Sequence, residues 1–148
     1  MAHKRAGFLH KHSLSCASLA ILLLWTALYI VSDPQTHLGA FYGNAIADWS
    51  GLLVTVLATK FMYEKGSAES RTPKKEPLNR ILAALEDHSL TIFLLLTGVA
   101  WIVLYVSMDA NSKWGQVVGN IVSEWTQILG LVLLTKRLLE RGSKESRR

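Results

Sequence analysis

This chain is poor in cysteine, in proline and in charged residues of either sign. Cys16 is the only cysteine among 148 residues, so no disulfide can form within the chain. Charged residues make up 18% of the sequence, and they cluster instead of alternating with apolar residues. A soluble domain of this size needs a polar face on each surface helix. The separation of charged from apolar sequence therefore indicates a lipid bilayer as the surroundings.

Patterns of catalytic or metal-binding residues are also missing from the sequence. It contains no nucleophile–base arrangement, no phosphate-binding glycine loop and no CxxC. His3, His10 and His12 lie near one another, but no carboxylate or cysteine stands at ligand spacing from them. The basic pI does not indicate nucleic acid, because the basic residues follow the ends of apolar runs. We predict no enzymatic activity, no cofactor, no metal site and no nucleic-acid partner.

Four apolar runs are each close to the roughly 20 residues that cross about 30 Å of hydrocarbon. They cover about residues 14–31, 45–63, 90–106 and 117–134, and the second and fourth contain acidic residues. Lys and Arg concentrate before the first run, between the second and third, and after the fourth. The positive-inside rule then predicts an all-α, multi-pass membrane protein with four transmembrane helices and both termini in the cytoplasm.

The chain repeats itself with a shift of 76 residues and no gap. Between residues 12–71 and 88–147, 23 of 60 aligned positions are identical, far more than chance allows, which indicates a tandem duplication. The sequence divides into a first helical hairpin (1–72), a linker (73–87) and a second hairpin (88–148). Each copy holds two spans, which predicts parallel repeats about a pseudo-two-fold axis along the membrane normal. The first span has a counterpart in mid-chain, so we interpret it as a retained helix and not as a signal peptide.

The linker is predicted to contain a short amphipathic helix on the inner membrane surface. Its apolar residues recur at helical spacing: Leu78, Ile81, Leu82 and Leu85. Pro73 and Pro77 interrupt any helix that comes before it. Gly66 and Gly142 are predicted to end the helices of the second and fourth spans.

A polar stripe follows one face of the second span, and a similar stripe follows the fourth. In the second span it consists of Asn44, Asp48, Gly51, Thr55 and Thr59. The equivalent residues of the fourth span are Asn120, Glu124, Gln127, Leu131 and Thr135. Polar residues are costly in hydrocarbon, so we predict that the stripes face each other across a polar seam, with the two acids near its outer mouth.

The polar seam has two interpretations. In the first it admits ions or protons, and Asp48 and Glu124 attract or titrate them. In the second the acids lie within about a turn of the helix starts, where Asn44 and Asn120 serve as N-caps and the helix dipole favours negative charge by roughly 0.3–1 kcal/mol. The other polar residues then form hydrogen bonds between helices. Leu131 interrupts any continuous polar path.

Charged residues also recur at the inner ends of the second and fourth spans. Lys60 and Lys136 are predicted to extend toward the interface and to complement the helix dipoles. Glu64 and Glu140 follow four residues later, and each is predicted to pair with the lysine of its own span.

Three short motifs occur in the sequence, two of them in both copies and one in the second copy only. They are His-Ser-Leu at 12–14 and 88–90, Ser-Glu-Trp-Thr-Gln at 123–127, and Gly-Ser-x-Glu-Ser at 66–70 and 142–146. They resemble motifs of an uncharacterised bacterial family of small multi-pass membrane proteins, a domain of unknown function. The first motif lacks the Asn of that family, and the first copy has Ala47–Gly51 in place of the acid-rich segment. The resemblance implies a bacterial inner-membrane location and supplies no activity.

These features favour a small ion-conducting or transport protein that uses the seam between the second and fourth spans. The alternative is a non-catalytic membrane subunit or scaffold, whose basic linker binds a partner or anionic lipid. In that case the polar stripes hold the helices together and conduct nothing. A homo-oligomer or an unidentified membrane partner fits either interpretation.

Overall fold

The computed structural model describes residues 11–70, 79–138 and 143. In these ranges the chain forms five α-helices and no strand, which confirms the predicted all-α class. The helices are α1 (Ser13–Val31), α2 (His37–Phe61), α3 (Arg80–Asp87), α4 (Ser89–Ser107) and α5 (Lys113–Leu134). By length and composition, α1, α4 and α5 are able to cross a membrane. α2 is the longest helix at 25 residues, but Asn44 and Asp48 interrupt its apolar sequence and it is not one of the three.

The long helices pack in the order α1, α2, α5, α4. α2 and α5 are therefore central, and each hairpin contributes one outer helix. Buried side chains of all four helices join in one apolar cluster, which includes Tyr29, Ile46, Leu94, Ile121 and Trp125. This arrangement brings the two predicted polar stripes onto neighbouring helices.

α1 and α2 run antiparallel along their whole length. Trp25 stacks on Tyr42 with ring centroids 5.9 Å apart, and Lys60 Nζ at the other end lies 3.1 Å from His12 Nδ1. Tyr29 covers Gly43 so closely that a Cβ there would stand 3.1 Å from the ring. The residues 76 positions later, Tyr105 and Gly119, make the same contact, with a corresponding distance of 2.9 Å.

α2 and α5 both begin earlier than the sequence predicted. Their N-caps are Thr36 and Ser112, whose side chains accept hydrogen bonds from the backbone N–H groups three residues on. The interpretation of Asn44 and Asn120 as N-caps is therefore wrong. Glycine at position 39, and likewise at 115, lets the helix start pass against a backbone carbonyl of the preceding turn, where a Cβ would overlap it.

α2 ends at Phe61, before the glycine that was predicted to end it. Met62 is extended, with φ −115° and ψ 154°. The chain then runs beside the start of α4, where Leu90 N donates to Tyr63 O at 3.1 Å and Lys65 N donates to Asp87 O at 2.7 Å. Gly66 lies in the following turn with φ +83°, a conformation that favours glycine. These bonds to α4 replace further turns of α2.

The short amphipathic helix of the linker is present as α3. Asn79 caps it by accepting from Ile81 N at 3.3 Å. The side chains of Ile81, Leu82 and Leu85 are all exposed. A single residue, His88, separates α3 from α4. Its location on a membrane surface stays a prediction.

Candidate functional site: a polar seam and its inner-end cluster

The two acids of the polar seam lie in the middle of their helices. Asp48 and Glu124 each stand eleven residues after the first residue of α2 or α5. At a rise of 1.5 Å per residue this is about 16 Å from the helix start, far beyond the first turn where a helix dipole acts. Favourable capping therefore does not explain these acids.

The carboxyl groups of Asp48 and Glu124 interact directly across the α2–α5 interface. Gly51 makes room for this approach, because a Cβ there would stand 3.3 Å from Glu124 Oε2. The side-chain amide of Gln127 lies 3.5 Å from the other oxygen of Glu124. The structure thus brings together the predicted acids of both stripes, and the small side of Gly51 lies against Glu124.

We call the N-terminal ends of α2 and α5, which the sequence predicts to lie outside, the outer end of the seam. Toward that end, the seam continues as a pair of amides. Asn120 Nδ2 donates a hydrogen bond to Asn44 Oδ1, so these two predicted residues are direct partners. They border an open cavity of about 510 Å³ that Gln116 and Tyr105 also line. Water reaching this cavity would come within about a turn of Asp48.

Toward the inner end, the seam narrows to a small, mainly apolar cavity of about 50 Å³. Thr55 and Thr59 line it from α2, and Thr59 Oγ1 donates to Thr55 O at 2.6 Å. Leu131 lines the opposite wall, and Glu69 borders the cavity. The predicted interruption by Leu131 is therefore present as a narrowing between the acids and the inner end.

One lateral side of the seam, along the length of α2 and α5, is not covered by other described helices. Asn44, Asp48 and Gln127 are exposed, whereas Glu124 is half-buried. An ionised carboxylate facing lipid at mid-membrane costs roughly 2.5–3.5 kcal/mol even on insertion-based scales. If α2 and α5 span the bilayer, this cost requires water, a proton or protein at Asp48.

A second polar cluster lies at the inner ends of the helices and centres on Glu64. Its side chain is fully buried, and Oε1 contacts both Lys136 Nζ and His88 Nδ1, the latter at 2.7 Å. Oε2 accepts a hydrogen bond from the backbone N–H of Thr91 at 3.2 Å, in the first turn of α4. A residue of the first hairpin therefore joins the C-terminal end of α5 to the N-terminal end of α4. We call Glu64, His88, Thr91 and Lys136 the inner-end cluster.

The protonation of Glu64 follows from these contacts. Burial raises the pKa of its carboxyl, but hydrogen bonds from Lys136, Thr91 and His88 lower it by more, so the pKa lies below its ordinary value. Nearby, Lys65 forms an exposed ion pair with Asp87 at 3.0 Å, and this bond raises the pKa of the lysine. Glu64 and Lys65 are adjacent in sequence, but the Glu64 side chain is buried and the Lys65 side chain is 68% exposed.

The segment after Glu64 packs onto the end of α5. Thr135 is buried, and its hydroxyl lies 3.0 Å from Ser67 Oγ and accepts from Ala68 N at 3.4 Å. Ser70 Oγ accepts from Glu64 N at 2.8 Å, which holds the turn closed. Thr135 was predicted to belong to the polar seam, but its hydroxyl binds this segment instead.

Pairing of Glu64 with Lys60 within one span was predicted and is wrong. Because α2 ends at Phe61, the two side chains do not share a helical face, and Lys60 lies beside His12 instead. Glu140, predicted to pair with Lys136, lies outside the described residues.

Sequence reasoning missed His88, Thr91 and Ser67 as parts of the inner-end structure. Their signal was present in the motifs His-Ser-Leu and Gly-Ser-x-Glu-Ser, which recur in both copies although they contain few apolar residues. Both copies keep these polar residues although apolar packing does not require them. Such retention indicates that the side chains form specific hydrogen bonds. One copy of each motif lies at Glu64, because His88 contacts its carboxylate and Ser70 Oγ accepts from its backbone N–H.

Comparisons of the chain with protein-family profiles, with curated proteins and with solved structures found no match. The resemblance to the small bacterial membrane family therefore stays a prediction.

Proposed function

We propose that this chain is a four-span inner-membrane protein that conducts protons or small cations along the polar seam between α2 and α5. The observation that carries the proposal is the meeting of Asp48 and Glu124 in the middle of two long helices. Acidic residues at such a depth are costly in a bilayer and are retained mainly where ions or protons pass. Helix capping does not account for these acids, because each lies eleven residues after the start of its helix.

The four-span arrangement is supported by the way α2 packs. α2 lies between α1 and α5, two helices that are able to span a membrane, and contacts α1 from Tyr42 to Lys60. A helix enclosed in this way shares their depth. Among the described residues, Lys60, Lys65 and Lys136 lie at one end of the bundle, which supports a cytoplasmic position for that end.

The relation between the two halves supports parallel repeats. Asn44 bonds Asn120, and Asp48 meets Glu124, so residues 76 positions apart face each other across the α2–α5 interface. Such pairing is expected where two parallel copies of a hairpin meet through their equivalent helices. A duplicated hairpin thus supplies one acid from each copy to a shared seam.

The order of features along the seam is that of a proton or small-cation route. An open cavity bordered by two amides lies about a turn from the acids, and a small, mainly apolar cavity that includes two threonines lies toward the inner end. Leu131 restricts the inner part to about 50 Å³, which excludes large solutes in this conformation. A cation or proton suits this geometry, because carboxylates attract positive charge.

The test is ion flux into proteoliposomes that contain the purified protein. Wild type is compared with the double variant Asp48→Asn, Glu124→Gln, and with a control double variant, Asp33→Asn, Asp109→Asn. The control removes the same number of acids from the turns that precede α2 and α5. We expect flux in wild type and control, and loss of flux in the seam variant. The absence of flux of protons, Na⁺, K⁺ and Cl⁻ in folded wild-type protein would contradict the proposal.

The orientation is tested separately with alkaline phosphatase fusions in a bacterial host. Fusions after Pro34 and Ala110 should be active, because these turns are expected outside the cytoplasm. Fusions after Gly66 and Arg137 should be inactive. Activity at Gly66 and inactivity at Pro34 would reverse the proposed topology.

A scaffold role is the second candidate, and α3 is the observation that favours it. Ile81, Leu82 and Leu85 are exposed on a helix that begins with Arg80. Such a helix suits the anionic inner leaflet. Flux that is absent in wild type, together with loss of lipid binding in Ile81→Gln, Leu85→Gln, would favour this candidate.

A further inference from the structure

Two neighbouring stripes on the central helices are exposed. On α2 the stripe consists of Asn44, Asp48 and Leu52, at intervals of four residues. On α5 it consists of Ser123, Gln127, Leu131 and Leu134, at intervals of four, four and three. Because these intervals follow the helical repeat, each stripe is one continuous side of its helix. We call the two stripes together the exposed face.

The opposite sides of α2 and α5 are well packed. Ala47, Ala58 and Val132 are buried, and they form one cluster with Leu90 and Leu94 of α4. The outer helices therefore cover one side of the central pair and leave the exposed face uncovered. The bonded amides of Asn44 and Asn120 place the two stripes side by side.

A bilayer does not tolerate such a face against lipid. Its polar groups lie in the middle part of the helices, where hydrocarbon supplies no hydrogen-bond partner. A single exposed Ser or Thr can bond its own helix backbone, but a carboxylate and a primary amide cannot satisfy all their groups in that way. A second protein surface along this face would supply partners to these groups over the whole length of the stripes.

We infer that a second copy of this chain covers the exposed face, so that two α2–α5 pairs pack face to face about a two-fold axis along the membrane normal. The inference rests on the proposed position of α2 and α5 in the bilayer and deepens the proposed function. It makes the route complete only in the dimer, since each copy leaves one wall of its seam open.

The composition of the exposed face matches a copy of itself. A two-fold interface places the same residues on both sides, so it must contain donors together with acceptors. The amides of Asn44 and Gln127 supply both, the hydroxyl of Ser123 does as well, and Asp48 supplies acceptors. Leu52 and Leu134 flank the polar residues toward the inner end and provide apolar contact. Interhelical polar bonds of this kind stabilise association in membranes.

The dimer also explains how the seam is closed to lipid. Facing pairs enclose the carboxyl groups of both copies between protein walls. The outer cavity beside Asn44 and Asn120 then opens into a shared entrance. A monomer has no wall on this side of Asp48, and lipid chains would enter.

The test is disulfide crosslinking in native membranes with single-cysteine variants. Both variants carry Cys16→Ser, which removes the natural cysteine. Ser123→Cys places a thiol on the exposed face, and Val99→Cys places a matched thiol on α4, where Val99 is 58% exposed. Mild oxidation should give several-fold more covalent dimer from Ser123→Cys. Gln127→Cys is a second reporter of the face if Ser123→Cys folds poorly.

An independent measurement uses the unsubstituted interface. Wild-type protein with a fluorescent tag, reconstituted into vesicles at low density, should photobleach in two steps. Single steps, equal crosslinking at both positions, or a covalent product with a different protein would each overturn the inference. Loss of the proposed conduction leaves these readouts unchanged, so dimers without flux would reject the conduction alone.

Discussion

Removal of the Glu64 carboxylate should destabilise the protein strongly, because it breaks a buried ion pair. Glu64→Ala removes the carboxylate that binds Lys136, which is 25% exposed, and that accepts from the N–H of Thr91. Breaking a buried pair by removing one partner typically costs 3–5 kcal/mol. Lys136 and His88 retain some access to water, so we expect a loss of about 3 kcal/mol, the lower end of that range.

The matched control is Lys65→Ala, which removes the neighbouring ion pair with Asp87. Lys65 is largely exposed, and exposed pairs contribute little to stability. The free energy of unfolding is measured by titrating SDS into protein in mixed micelles, with helicity followed by circular dichroism. The control should unfold close to wild type, and Glu64→Ala well before it. Equal unfolding of the two variants would refute a stabilising role for the inner-end cluster.

Three further results are expected. The pKa of Glu64 is lowered in the folded protein, so its stabilisation is complete above the unfolded pKa, about 4.3, and is lost as pH falls toward the folded pKa. Wild type should therefore lose more free energy of unfolding than Glu64→Gln between about pH 5 and about pH 3. Gly115→Ala should destabilise α5, because the added Cβ would overlap a backbone carbonyl. Gly130→Ala lies in open space and should stabilise α5 by up to about 1 kcal/mol. Equal melting temperatures of the two variants would contradict this difference. A double-mutant cycle with Asn44→Ala and Asn120→Ala should give a coupling of about 0.6 kcal/mol in SDS unfolding, and additive effects would argue against the amide pair.

Hydropathy predicted the helices with the simplest surroundings most accurately. α1 and α4 begin and end within a residue of the predicted bounds, since their apolar runs are uninterrupted. α2 begins eight residues earlier than predicted, and the additional turns contain Gly39 and Gly43. In the structure those glycines allow close contacts within a continuous helix, a use of glycine that a single sequence does not distinguish from a turn.

The facing of the two polar stripes was predicted, but the inner-end cluster was not. Spacing placed Asn44 and Asp48 on one face, and the repeat supplied their partners on α5. Which lysine Glu64 meets was beyond local reasoning, because that depends on the end of α2 at Phe61 and on bonds to α4. Helical spacing describes pairs within one helix only.

The inner-end cluster has a consequence for the order in which the protein is assembled. All three partners of the Glu64 carboxylate belong to the second hairpin, and Lys136 follows the last long helix of the described residues. If the chain inserts in the proposed orientation, the first hairpin reaches the membrane with this acidic side chain still hydrated at the cytoplasmic surface. The ion pair between Glu64 and Lys136 can form only after α5 has been inserted. The inner-end cluster is therefore complete only when all the long helices are in place.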